Sequence, residues 1–199
     1  MSQLIENEKS NVTVSEIVYM DYNATTPLEE SVLQAIHNAL KDAWGNPSST
    51  HSTGKKASAI IKAARRSVGD MIGCSESDII FTSGGTEANN AVINTSLKYF
   101  QEIAKNAADG GKLKDCVPHI ITTILEHDSV QLPVVHLTST GEMESTFVSA
   151  AKNSGMVIVD DIVKAVRTNT CLVSVMMANN ETGVIQVTFP YFPLTQPKG

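Results

Sequence analysis

The sequence predicts an α/β layer fold built on a largely parallel sheet with flanking helices. Three observations predict it. Short apolar runs alternate along the chain with segments of helical periodicity. The apolar runs are continuous rather than alternating, as for strands covered on both faces. Glycine, proline and asparagine separate the two kinds of segment. No internal repeat is evident.

The elements follow in order. Residues 16–21 are a short apolar run, read as a brief strand or extended segment that enters a turn over residues 23–27. From residue 29 to 43, Val32, Leu33, Ile36, Ala39, Leu40 and Ala43 recur at helical spacing. Glu29 and Glu30 favour the positive end of that helix, and Gly45-Asn46-Pro47 ends it. Residues 48–54 are small or polar apart from His51 and read as a loop. Residues 55–72 resume helical periodicity through Ala57, Ile60, Ile61, Ala64, Val68 and Met71, and Gly73 is the natural stop.

Residues 78–82 then read as a buried strand, followed by a tight glycine turn and a helix from residue 83 towards Glu102. Gly110-Gly111 marks a flexible surface connection over residues 106–115. A second buried strand is expected at 119–123 and a further one at 146–148, with a short helix at 160–167 and a central strand at 171–177. Beyond residue 187, Pro190, Pro193 and Pro197 forbid both helix and central strand, so the tail reads as unfolded or peripheral. The expected organisation is a polar leader (1–15), an incomplete large domain (16–186) and a divergent proline-rich tail (187–199).

Bulk numbers permit this reading and exclude others. The 199 residues are 42% hydrophobic and 18% charged, as in a soluble globular protein. A chain of this length can bury roughly 70% of its unfolded surface, so a core needs neither disulfides nor metals. The net charge of -6, without long charge runs, gives no footprint for nucleic acid or an anionic membrane. Lys55, Lys56, Arg65 and Arg66 fit the exposed face of a helix. Cys74, Cys116 and Cys171 are an odd number without a CxxC pair, which argues against a disulfide framework and a thiolate zinc site. The polar start has neither a signal-peptide core nor an arginine-rich transit bias, and a cytosolic protein is expected.

Three places carry candidate chemistry. At Ser83-Gly84-Gly85-Thr86 a strand is expected to hand over to a helix, where unpaired N–H groups and the helix dipole converge on a small anion. Glycine permits close approach there, and the Thr86 hydroxyl adds a donor; plain turn geometry is the competing reading. His127 lies just past the strand at 119–123, at the carboxyl edge where α/β sheets place ligands. Its ring can stack on an aromatic cofactor and move protons, or simply bond Asp128 or Ser129 in a loop. Ala178-Asn179-Asn180-Glu181-Thr182-Gly183 follows the last strand, where its amides can orient a ligand oxygen or merely form a turn. All three are expected on one edge of one sheet, where a phosphate-bearing aromatic cofactor would touch each. The other histidines, His37, His51, His119 and His136, are read as structural.

As a set, five segments are highly specific: residues 21–27 (Asp-Tyr-Asn-Ala-Thr-Thr-Pro), 45–49 (Gly-Asn-Pro-Ser-Ser), 81–87, 126–129 (Glu-His-Asp-Ser) and 179–183. In order and spacing they resemble the class V aminotransferase-like cysteine desulfurases, and within that family the selenocysteine lyase group. The resemblance runs from about residue 18 to 185. It implies the large domain of a fold-type-I transferase that uses pyridoxal 5'-phosphate. It also implies a homodimer that cleaves L-selenocysteine to L-alanine and a selenium species. By that resemblance Gly85 and Thr86 bind the cofactor phosphate, His127 stacks on the pyridine ring and assists proton transfer, and Asn180 bonds the ring hydroxyl.

Two departures matter. The family's Schiff-base lysine and ring-pairing aspartate follow the Asn-Asn-Glu motif, whereas here the only lysine after Asn180 is Lys198 and no aspartate follows. The family's mobile cysteine has no counterpart among the three cysteines, and Cys171 reads as a small core residue. The chain is therefore expected to be a truncated domain, inactive alone. Two alternatives stay open: a non-catalytic dimerising or regulatory fragment, and a cysteine desulfurase.

Overall fold

The computed structural model describes residues 18–106 and 116–186. The expected leader (1–15), most of the glycine-bearing connection and the proline-rich tail lie outside the described residues. The described residues fall into two compact units, divided between Ile60 and Ile61.

In the first unit, residues 18–29 form no strand, and Asp21 closes a turn by accepting the Ala24 N–H at 3.1 Å. Helix α1 (Glu30–Asp42) follows the predicted periodicity. Helix α2 (Ser52–Ile72) begins in the first unit, three residues before its predicted start. There His51 turns its Nδ1 to the Gly54 N–H at 3.4 Å, a long cap on an otherwise unpaired donor. Gly54 is required by packing: a Cβ there would sit 2.6 Å from the carbonyl oxygens of Asn46 and Ser49.

The second unit is a three-layer α/β sandwich. Its sheet has the order β2-β1-β3, from β1 (His119–Thr123), β2 (Glu144–Val148) and β3 (Thr170–Val173), all parallel. Helix α3 (Gly85–Asn106) and helix α4 (Asp128–Ser139) cover one face. There Ile93, Leu97, Val130 and Val134 pack with Ile120 and Met143. Helix α5 (Val159–Ala165) covers the other, where Ile162 joins Ile121, Val148 and Val157. The connection from β1 to β2 steps one way across the sheet and that from β2 to β3 steps back. Right-handed crossovers then require α4 and α5 on opposite faces, as found.

Three expectations need correction. Residues 78–82 are not a buried strand: a single turn of 3-10 helix covers Glu76–Asp78 and residues 79–82 are irregular and mostly exposed. Strand β3 is an edge strand rather than a central one, and ends at Val173. Helix α4 stands where no helix is predicted, because Pro133 inside it removes a donor and masks the periodicity of Val130, Val134 and Leu137.

Candidate functional site

The site is assembled around the carboxyl end of β1. Residue 127 is the N-cap of α4, in extended conformation (φ -65°, ψ 152°). Its Nδ1 accepts the Ser129 backbone N–H at 3.0 Å and lies 2.9 Å from the Ser129 hydroxyl. The competing reading of His127, a bond to Ser129, is thus realised, yet the residue stays exposed at the rim. Engagement of one ring nitrogen fixes the ring's direction without covering its faces.

Two further bonds tie neighbours of the other candidates to the residues around His127. Asn89, in the first turns of α3, donates its amide N–H to the Ser129 hydroxyl at 2.8 Å. Thr86 lies one helical turn before Asn89 and so on nearly the same helix face. Beyond β3, Asn179 donates to the Leu125 carbonyl at 3.1 Å. Its Oδ1 accepts the N–H groups of Glu181 and Thr182 and the Thr182 hydroxyl at 2.8 to 3.0 Å. Gly183 completes that turn at φ 71°. Asn179 therefore builds the loop and ties it to Leu125, and its neighbour Asn180 is exposed.

The glycine turn differs from expectation in how it is held. No strand delivers it, so only the segments bearing His127 and Asn180 follow strands of the sheet. Gly85 opens α3, whose first main-chain helical bond runs from the Ala88 N–H to the Gly84 carbonyl at 3.1 Å. The N–H groups of Gly85, Thr86 and Glu87 precede it and have no carbonyl of their own helix to meet. Glu87 folds back and accepts from the Ser83 N–H and hydroxyl, both at 2.7 Å, bonds that hold its carboxyl below the usual range. A Cβ at Gly84 or Gly85 would meet nothing within 4 Å.

Glu126 is a buried carboxyl of the region. Burial raises its carboxyl above the ordinary value, against the Met176 N–H that it accepts at 2.5 Å. That bond ties the loop after β1 to the segment after β3. His119 is fully buried at the other end of β1, its ring nitrogens 2.8 Å from the Thr170 hydroxyl and 2.9 Å from that of Thr146. Burial first, then the Arg167 charge, lowers its proton affinity, while Glu144 opposes them. Cys171 packs against the core, and burial pushes its thiol up. Asn89, Glu126, Ser129 and Asn179, all inside the five family-like segments or beside them, tie this region together; Asn179 and Ser129 were named from sequence, as a candidate amide and a partner of His127, and Asn89 and Glu126 were given no role. Their signal was adjacency to the candidates, which spacing alone cannot separate from the candidates themselves.

The sequence pattern of the Aminotransferase class-V family matches residues 18–189. The chain belongs to that family. Among similar class-V relatives, selenocysteine lyase of Bos taurus is 51% identical over 175 residues, covering 86% of this chain and 40% of the relative. Selenocysteine lyase of Homo sapiens is 52% identical over 172 residues, covering 84% and 39%. The chain thus spans about 40% of the length of these curated relatives. The cysteine desulfurase IscS of Dictyoglomus turgidum is 41% identical, covering 85% of this chain and 39% of its own. Of solved structures, a NifS-like protein superposes with TM-score 0.72 at 33% identity, over 83% of this chain and 41% of that one. The sheet and its helices are accordingly a partial class-V fold.

Proposed function

We propose that this chain is the cofactor-binding portion of a selenocysteine lyase, which takes L-selenocysteine to L-alanine and a selenium species with pyridoxal 5'-phosphate. One observation supports the site: Asn89 of α3 donates to the Ser129 hydroxyl beside His127 Nδ1, and Asn179 donates to the Leu125 carbonyl two residues before His127, so that the segments bearing Thr86, His127 and Asn180 are tied to one region. Those residues fit such a ligand. The first turn of α3 supplies free N–H donors and open space for a phosphate, with Gly85 and Thr86 as its holders. The exposed His127 ring supplies a flat surface for stacking, and Asn180 an amide for the ring hydroxyl. When bound, the cofactor would act as an electron sink for the substrate. The selenocysteine lyase reading over a cysteine desulfurase is supported by identities of 51 to 52% against 41%.

No lysine except Lys198 and no aspartate follow Asn180 in the 199 residues, so the cofactor would be held here without a covalent bond. The chain by itself is proposed to be inactive. Residues 16–186 are proposed as one incomplete large domain, in a cytosolic protein that pairs with a second subunit. Equilibrium dialysis of pyridoxal 5'-phosphate tests the site. Saturable binding that weakens at least several-fold in Thr86→Ala, His127→Ala and Asn180→Ala is the expected result. Binding indifferent to all three substitutions removes the site, and selenide release by the 199-residue chain removes the inactivity.

A further inference from the structure

We propose that Asn89 and Ser129 are positioning residues that lock His127 in the tautomer with its proton on Nε2, so that the rim is offered a hydrogen-bond donor and two ring faces rather than a base. The proposal rests on the reading of His127 as the stacking residue, and extends it to which nitrogen carries the proton.

The argument is one of donor direction. A backbone N–H can only donate, so the Ser129 N–H at 3.0 Å requires a lone pair on His127 Nδ1. The Ser129 hydroxyl, 2.9 Å from the same nitrogen, can donate or accept. The backbone N–H settles which: with a lone pair rather than a proton on Nδ1, the hydroxyl can only donate to it, and the Asn89 amide N–H, 2.8 Å away, takes one of the oxygen's two lone pairs and holds the hydroxyl in place. Two donors of Ser129 thus converge on one acceptor, and the Asn89 amide supports the second of them. A neutral imidazole carrying no proton on Nδ1 carries it on Nε2. Protonating Nδ1 would set its N–H against the Ser129 N–H and break the N-cap of α4, so the cap and the tautomer stand or fall together. Ser129 is buried and Asn89 partly so, which shields the relay from water. The arrangement bears on mechanism: His127 held this way can donate from Nε2 and stack, but cannot collect a proton on Nδ1 while the cap is intact.

The test uses the 199-residue chain, labelled with 15N and free of cofactor, so that it does not depend on the functional reading. Long-range proton–nitrogen correlation reports the tautomer of each histidine. At a pH where His127 is neutral, its Nδ1 should give a pyridine-like signal and Nε2 a pyrrole-like one. His37, exposed on α1, is the internal reference for an unrestrained ring. A His127 averaged between tautomers like His37, or protonated at Nδ1, overturns the proposal. Asn89→Asp is close to isosteric but accepts where Asn89 donates, turning the hydroxyl away from the ring. It and Ser129→Ala should shift the His127 signals towards the His37 pattern, with Ser129→Thr restoring them. Unchanged signals in both variants remove Asn89 and Ser129 as positioning residues. Where Ser129→Ala fails to fold, as judged by its amide spectrum, the wild-type spectrum and Asn89→Asp still decide. Pyridoxal 5'-phosphate binding should weaken roughly two- to ten-fold in the same variants, the range of one neutral hydrogen bond. If the tautomer is locked but His127→Ala binds the cofactor normally, the lock stands and the stacking role falls.

Discussion

Two segments of nearly the same composition meet opposite fates in this molecule. Residues 78–82 read Asp-Ile-Ile-Phe-Thr and β1 reads His-Ile-Ile-Thr-Thr. In β1 both isoleucines are 0% exposed, between β2 and β3 and under helices on both faces. In the other segment Ile80 is 82% exposed, and the main chain finds a side-chain donor instead, Arg65 Nε on the Ile79 carbonyl at 3.2 Å, with the guanidinium of Arg65 over the Phe81 ring. An apolar run confers the capacity to be a strand. A neighbouring strand with free N–H and C=O groups makes it one.

The comparison is broken most directly by truncation at equivalent positions. Ile120→Ala removes atoms from a cluster that cannot close around the gap and should cost about 2–5 kcal/mol in urea unfolding, against less than about 0.5 kcal/mol for Ile80→Ala. Equal losses would show that residues 78–82 are buried in solution as β1 is.

Next in size are the two buried ionisable groups at either end of β1, which act in opposite directions. His119 binds protons more weakly folded than unfolded, so its contribution is present above pH 6.5 and is lost as the pH falls through its lowered folded value. Glu126 binds its proton more tightly folded, so its contribution is present below pH 4.5 and is lost as the pH rises through the raised value. Denaturation midpoints across pH 4 to 8 check both. His119→Gln should flatten the loss of stability on the acid side, and Glu126→Gln, which keeps an acceptor for the Met176 N–H, should remove the loss of stability that Glu126 adds between acid and neutral pH. An unaltered profile in either variant contradicts the burial argument for that residue.

The smallest effect sharpens the contrast within β1 itself. Among the described residues, Thr122 Oγ1 is a buried side-chain oxygen without a partner, whereas the adjacent Thr123 hydroxyl accepts the Leu125 N–H at 3.2 Å. Thr122→Val should therefore be neutral or stabilising by up to about 1 kcal/mol, and Thr123→Val destabilising by about 1 kcal/mol. A destabilised Thr122→Val would reveal a partner for that hydroxyl, and calorimetry reads both.

How much could be read from sequence follows from the same logic. Helices α1 and α3, strands β1 and β2 and the parallel α/β class came from local periodicity, because a repeat near 3.6 or an unbroken apolar run is a property of the residues themselves. Helix α4 was hidden by Pro133, and β3 was legible as a strand but not as an edge. The glycine turn, His127 and the paired amides of Asn179 and Asn180 were candidates by type and position, Asn180 was chosen between the amides by resemblance, and the class-V pattern matches residues 18–189, which span the family-like segments. Their supports were not legible, since Asn89 meets Ser129 across 40 residues and Asn179 meets Leu125 across 54.

By itself, the sequence determined which segments can coil, which can extend and which residue types stand in the family's segments. Only the tertiary structure decided which apolar run gains neighbours, which histidine is buried between two threonines and which stands at a rim, and which of two adjacent asparagines builds the loop while the other is left exposed. Period and residue type are fixed by covalent neighbours. Pairing, burial and donor direction belong to groups that meet only when distant parts of the chain close on one another.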